Sequence, residues 1–447
     1  MILENATVTL IAFAAVVVLL FWLIAKSKWH VFLALLIPIV LFGIIPGVNI
    51  DAFIDAFQEG FGGTVQDIAV VIVLGCLIGE VLKNTGGVEK ITQTMINLVG
   101  KKKMALALTF AGFIIGIAIF SDVGYVILNP LVHGAAIAAG TNMSVMSSGL
   151  VGALQLTHAM VPPTPGPLAA AAIMEADIGT VIMWGAFVTF WGSLAGYFYA
   201  KIVGPRIESE PSDEFVGESF VEKGMKLPST LKAYAPIAIP LILIAGQSVA
   251  KNLLDEGNFI RTAMTFLGWP VVALIFGVIA SYFLVQDPKD KKEFTGNWIE
   301  EALRTSAMII VVTGLGGSLS AILKGTPAVE TIADVVAASG VPSIFLPFVL
   351  GVVGNMITGS TTVGVITAAS LTTPMLSTLG LSPEAGMLAG AAGSIIIKYV
   401  NSSYFWVCTS LSKMNLKSAL VSYGGVTLVN GITSMIVVFI LWRMGII

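Results

Sequence analysis

Charge is what this chain has least of. Of its 447 residues only 11% are Asp, Glu, Lys or Arg, while 56% are hydrophobic; soluble domains carry roughly 25% charge. That excludes a water-soluble globule and makes the bilayer the expected solvent. A formal net charge of −3 and the lack of a basic tail leave no basis for a nucleic-acid surface. Cysteine is nearly missing too. Cys76 and Cys408 both fall inside apolar runs, which reads as packing rather than a disulfide or a metal pair. No H-E-x-x-H, no G-x-S-x-G with partners and no Cys/His metal set occurs. A membrane-embedded enzyme is therefore not indicated, and neither a cofactor nor a metal is expected.

What the chain has in quantity is apolar sequence, broken at telling places. Spans are predicted near Ala6–Ala25, Val31–Pro46 and Asp67–Leu82. The first is long, lacks a basic n-region and has no clean cleavage site, so it reads as a span and not a signal peptide. Gly86–Gly100 is more polar, with Val88, Ile91, Met95 and Leu98 at helical spacing, and predicts an interfacial amphipathic helix. Met104–Phe120 and Val123–Ala139 are joined at Ser121-Asp122. Each falls short of the about 20 residues of a full crossing, so residues 104–139 predict a re-entrant hairpin with a polar tip. Residues 144–174 follow, interrupted by His158, Pro162, Pro163, Pro165 and Pro167. This is the pattern of a helix broken inside the membrane, tolerated only where the backbone lines a cavity or is buried in protein. A span at Gly179–Val203 closes the first half.

Residues 204–232 are hydrophilic, with mixed charges and Pro205, Pro211 and Pro228, and read as a cytoplasmic linker. Beyond it come spans at Ala233–Ala250, Thr262–Val285 and Leu303–Leu323, and an amphipathic segment at Ala328–Ser339. A second hairpin covers 343–379, with Ser360-Thr361-Thr362 at its tip; a second interrupted segment covers 384–411, and a last span covers Ala419–Arg443. The order of the first half thus recurs. At one constant displacement Gly75, Leu82, Lys83, Thr85, Val88, Glu89 and Ile91 meet Gly316, Leu323, Lys324, Thr326, Val329, Glu330 and Ile332. The positive-inside rule puts Lys26, Lys28, Lys83, Lys90, Lys101–Lys103, Arg206, Lys289, Lys291, Lys292, Arg304, Lys413 and Lys417 in the cytoplasm. The stretch carrying Asp51, Asp55, Glu59 and Asp67 then becomes an outside loop. The fold expected is an all-α polytopic membrane protein of two inverted repeats, 1–203 and 233–447, of about five spans each, an arrangement typical of secondary transporters.

The candidate residues sit at the tips and breaks. Asp122, at the first tip, is an ionisable group inside a membrane protein, able to bind a proton or a cation or simply to cap the helix that follows. His158 stands where the broken span unwinds and can bond a hydroxyl, or a carboxylate when protonated. His133 and His30 read as structural and interfacial. The half-helix that begins within Thr164-Pro165-Gly166-Pro167 offers a positive dipole end to an anionic group. Ser121, Ser360, Thr361 and Thr362 can present oxygens and amides at the tips. Lys398 can contact a substrate carboxylate, stand in for a coupling cation or snorkel to an interface, and Asn401 and Ser402 add polar ligands beside it.

At these residues the chain resembles the gluconate permease family of gluconate–proton symporters, within the ion-transporter superfamily. Phe120-Ser121-Asp122-Val123-Gly124-Tyr125-Val126-Ile127-Leu128-Asn129-Pro130-Leu131-Val132 is similar to the family's F-Y-E-V-G-F-V-L-x-x-P-L-V, with Asp122 on the acidic position. Thr157-His158-Ala159-Met160-Val161-Pro162-Pro163-Thr164-Pro165-Gly166-Pro167 resembles T-H-G-x-x-P-P-H-P-G-P, with Thr164 in place of the second histidine. Gly359-Ser360-Thr361-Thr362-Val363-Gly364-Val365-Ile366-Thr367 resembles G-S-A-T-V-A-A-I-T. Lys398-Tyr399-Val400-Asn401-Ser402-Ser403-Tyr404-Phe405-Trp406 departs most from S-H-V-N-D-x-x-F-W: it keeps Asn401, Phe405 and Trp406, loses His and Asp, and gains Lys398. The resemblance implies a multi-pass plasma-membrane (inner-membrane) carrier that imports gluconate or a related sugar or organic acid by proton symport, with Asp122 and His158 as coupling groups. The superfamily implies a homodimer. The lost histidines and acid also motivate a sodium-coupled carrier; a passive channel is the remaining alternative.

Overall fold

The computed structural model describes the chain except Met1, Glu4, Lys28, residues 216–225, Asp287, Gly325, residues 328–339, Ile397 and Asn401. The amphipathic segment expected at Ala328–Ser339 lies outside the described residues, as does Asn401. The described residues form helices and connecting turns, with no strand. In chain order the first nine are α1 (Ala6–Ala25), α2 (Val31–Phe42), α3 (Ile50–Asn84), α4 (Gly87–Val99), α5 (Met104–Ile115), α6 (Ser121–Ala139), α7 (Met143–Met160), α8 (Pro165–Met174) and α9 (Ile178–Val203). Then come α10 (Thr230–Leu253), α11 (Phe259–Leu267), α12 (Pro270–Tyr282), α13 (Pro288–Thr295) and α14 (Asn297–Lys324). The last five are α15 (Phe345–Thr358), α16 (Thr361–Thr372), α17 (Pro383–Ser394), α18 (Ser403–Leu411) and α19, Leu416–Arg443, which holds a π turn at Leu420–Gly424. Among the described residues six helices are long and apolar enough to cross a membrane, or seven if α11 and α12, bent by 65°, count as one.

Three expectations change. The acidic stretch expected as an outside loop is helical, the first half of the 35-residue α3. Asn49 starts it by accepting the Ala52 amide at 3.1 Å. The spacing of Asp51, Asp55 and Glu59 keeps these carboxylates on one exposed face, while Phe53 and Thr64 turn inward. At about 1.5 Å per residue α3 runs roughly 52 Å, well beyond a 30 Å hydrocarbon layer. The span expected at Thr262–Val285 is cut in two at Gly268-Trp269, because Pro270 cannot continue the preceding helix. On α4, Val88 and Ile91 are buried, but Leu98 is exposed and Ile96 takes its place inside.

The centre of the molecule is the pair α3 and α14, which pack along each other more than any other two helices. They cross at Gly60 and Gly317, where a side chain on either would collide with the other's carbonyl oxygen. Beside the crossing, Ser318 Oγ donates to Phe57 O at 2.8 Å. The two expected hairpins differ in build. α15 and α16 pack closely on each other, whereas α5 and α6 touch lightly and both lie against α7. Gly112 of α5 sits directly on Leu150 and Leu154 of α7.

The linker is partly strapped down. Asn142 Nδ2 donates to Gly204 O and Ile207 O at 2.9 and 2.8 Å, and Ser418 Oγ donates to Glu208 O at 2.8 Å. His133 takes part as a bridge: Nδ1 accepts the Ser212 amide and Nε2 faces Leu411 O, each at 2.9 Å. That fixes a neutral ring with the hydrogen on Nε2, the structural role read from its apolar surroundings.

Candidate functional site

Both tips are helix starts, and they are built differently. α6 has no side chain capping it from Phe120; instead Asp122 Oδ1 accepts the Val123 amide at 2.9 Å. α16 is capped in the ordinary way, with Ser360 Oγ accepting Val363 N at 3.3 Å and Thr358 Oγ1 accepting Ser360 N at 3.1 Å. The tips are joined through a residue that sequence reasoning missed. Ser121 Oγ donates to Gln155 Oε1 at 3.2 Å, and Gln155 Nε2 donates to Thr361 Oγ1. Gln155 is 3% exposed. The signal was available: it stands three residues before His158, on the same face of α7.

The breaks bring the remaining candidates in. Between α7 and α8 stand Pro162 and Pro163, which have no N–H to offer the last carbonyls of α7, and Thr164 supplies a donor instead: its Oγ1 lies 2.9 Å from His158 O and 2.8 Å from Val161 O. The hydroxyl expected to face a substrate is thus held by the backbone, and Thr164 is not among the residues lining the cavity between the tips. Gly166 does not line it either. It abuts the second tip, where a side chain would meet Thr362 Oγ1 at 3.3 Å. His158 does line it, buried, its ring centroid 5.1 Å from that of Phe120 and its Nδ1 without a hydrogen-bond partner among the described residues.

Between α17 and α18 the chain unwinds through Lys398, whose amide donates to Thr427 Oγ1 at 3.0 Å. Lys398 does not snorkel. Its side chain is buried, with Nζ donating to Asn355 Oδ1 at 2.6 Å and to Gly359 O at 3.1 Å. Among the described residues no carboxylate lies within ion-pair distance of it. Ser402 is buried, and α18 starts with no side-chain cap. The first amides of a helix have no partner within it, so those of Ser403 and Tyr404 are available at the cavity.

These groups enclose a cavity of about 210 Å³, lined by Ser121, Asp122, Gln155, His158, the tip residues Gly359, Ser360, Thr361, Thr362 and Val363, and Lys398, Ser402, Ser403 and Tyr404. Met308, Ile309 and Val312 of α14 form an apolar wall. The space falls below the roughly 300–1,000 Å³ of sites for drug-sized ligands and suits a small polar molecule. One ammonium, one carboxylate, an imidazole, an amide and several hydroxyls face a volume that few solutes could fill.

An all-helical membrane chain with its polar groups gathered where hairpin tips meet broken helices is a membrane transporter. The comparisons with known proteins agree. The chain belongs to the GntP family permeases, whose family model matches residues 7–445, and it is a multi-pass protein of the inner membrane. It is 33% identical over 416 residues to an uncharacterized permease of Haemophilus influenzae, covering 90% of this chain and 85% of that one. It is 30% identical over 452 residues to a gluconate permease of Zymomonas mobilis, covering 99% of both. In structure it is similar to the YdaH transporter of Alcanivorax borkumensis, with a TM-score of 0.65 and 14% identity over 96% of this chain and 98% of that one, a likeness of fold alone.

Proposed function

We propose that the chain imports gluconate or a closely similar sugar acid by proton symport. The observation that carries this reading is Lys398: a buried ammonium facing a small polar cavity, with no carboxylate of the described residues within ion-pair distance of it. A buried charge is stable when paired, and a substrate carboxylate is the partner it lacks. The open amides of Ser403 and Tyr404 add the positive end of α18. The sugar-acid hydroxyls are met by the free Nδ1 of His158, by Gln155 and by the tip residues Ser121, Ser360, Thr361 and Thr362, with Ser402 on the side of the lysine. Asp122 is the group that takes and gives up the coupling proton. Thr164 and Gly166 shape the site by holding the first break and seating it on the second tip. Residues 1–203 and 233–447 act as inverted repeats joined by the cytoplasmic linker, and the protein works as a homodimer.

The test is uptake of labelled gluconate into proteoliposomes under an imposed proton or sodium gradient, for wild type and Asp122→Asn. Accumulation driven by protons in wild type and lost in Asp122→Asn is the expected result. Accumulation that follows sodium alone overturns the proton mechanism.

A further inference from the structure

A second cavity, of about 240 Å³, shares only Phe120 and Asp122 with the first. The first tip therefore forms a partition, and one carboxylate borders both spaces. The remaining wall comes from Pro163, Thr164 and Pro165 of the first break, from one face of α3, with Gly75, Cys76, Gly79, Glu80 and Lys83 at helical spacing, and from Glu301, Ala302 and Thr305 of α14. Gly75 and Gly79 let the tip and the break close on α3: a side chain would stand 3.0 Å from Pro163 O at the first and 2.7 Å from Ala118 O at the second.

The two spaces differ in charge. The first holds Lys398 with Asp122 and His158. The second holds Asp122, Glu80 and Glu301 against Lys83, with Cys76 its other ionisable group. A cavity with three carboxylates and one ammonium repels an anionic substrate and accepts a cation. Its best-ordered acid is Glu80, whose oxygens lie 2.5 and 2.7 Å from Lys83 Nζ and whose Oε1 also accepts Asn84 Nδ2 at 2.8 Å. A surface pair contributes little to stability; this one fixes a carboxylate in the wall of a cavity that reaches Asp122.

We propose that this second cavity is the exit for the coupling proton, with Glu80 as the acceptor after Asp122. The proposal rests on the proton-symport reading above. The Asp122 carboxylic acid gives its proton, through water in the cavity, to the Glu80 carboxylate. Asp122 is left ionised and Glu80 becomes a neutral acid beside the Lys83 ammonium. Glu80 then loses the proton to the cytoplasm, and Lys83 restores its ionised form. Substrate and proton meet at the tip and leave it by different routes.

The experiment separates net transport, which needs proton release, from exchange of internal for external gluconate, which does not. Proteoliposomes with wild type, Glu80→Gln and Glu80→Asp are assayed for proton-driven uptake and for exchange at equal gluconate on both sides. Glu80→Gln should lower net uptake roughly 100-fold, the low end for loss of a positioned proton-transfer group, while exchange stays near the wild-type rate. Glu80→Asp should restore net uptake. Net uptake unchanged in Glu80→Gln, or exchange and net uptake falling together, overturns the exit route. Wild type that shows no proton-driven uptake overturns the coupling reading itself, and the exit with it.

Discussion

Replacing Lys398 by methionine, of similar length and no charge, tests the centre of the proposed site. A lysine at mid-membrane costs on the order of 3 kcal/mol. Against that stand its bonds to Asn355 Oδ1 and Gly359 O, each worth about 1.5–3 kcal/mol when the donor is charged. The net contribution of the lysine to stability therefore lies between about zero and 3 kcal/mol, and the variant loses no more than that. Binding is a separate quantity. Removing one member of a desolvated charge pair costs about 2–5 kcal/mol, and a middle value of about 3 kcal/mol is roughly 150-fold in Kd. Calorimetric titration of gluconate into purified wild type and Lys398→Met, with thermal unfolding of the same samples, reads both. Lys398→Arg keeps the charge but spreads it over a planar fork that does not match two single acceptors, so intermediate affinity is expected. If Lys398→Met binds gluconate as wild type does while its unfolding temperature falls, the lysine is a tie between the second tip and the second break. The carboxylate would then have to be held elsewhere.

Two further changes follow from contacts described above. Gln155→Leu leaves Ser121 and Thr361 without the amide that joins them, which costs about 1–3 kcal/mol for the stranded buried groups. Thermal unfolding should show that loss together with slower uptake, and unaltered uptake would remove the tip-to-tip bridge from the transport cycle. Glu89 on α4, outside the spans, is buried with Oε2 unpartnered among the described residues. Burial pushes its carboxyl from 4.5 up to about 7, against a smaller opposing effect of its own amide. A carboxyl raised in the folded state destabilises once it must ionise, so stability falls as pH rises from 4.5 to about 7 and is level above. Glu89→Gln should remove that fall, gaining on the order of 3 kcal/mol over wild type at pH 8 and nothing at pH 4; an identical pH profile in both proteins would refute it.

The hairpins and breaks were legible because polar or proline residues interrupt apolar runs there. Met104 and Ala139 bound α5 and α6, and residues 143–174 form two helices, α7 and α8, parted at residues 161–164. The acidic half of α3 was misread because carboxylates spaced to keep one helix face wet resemble a loop when counted rather than placed on a wheel. Thr164 was assigned to a ligand because sequence does not record which carbonyls the prolines leave unpaired. Gln155 was passed over because an isolated glutamine in an apolar helix gives no hint of two tips arriving from distant parts of the chain. Lys398 stands between α17 and α18, but its partners, Asn355 and Gly359, belong to another part of the chain and only folding brings them to it.

The crossing of α3 and α14 has a mechanical consequence. With backbone resting on backbone at Gly60 and Gly317, the two helices cannot move closer, and the Ser318 bond to Phe57 resists sliding. In the transport cycle proposed above, such a crossing would serve as a fulcrum. α3 bears the tip and break on Gly75 and Gly79, so a small tilt of the site-bearing helices about that point becomes a larger displacement at their far ends. On the proposed reading, the cargo would be exposed to one side and then the other while the centre stays still.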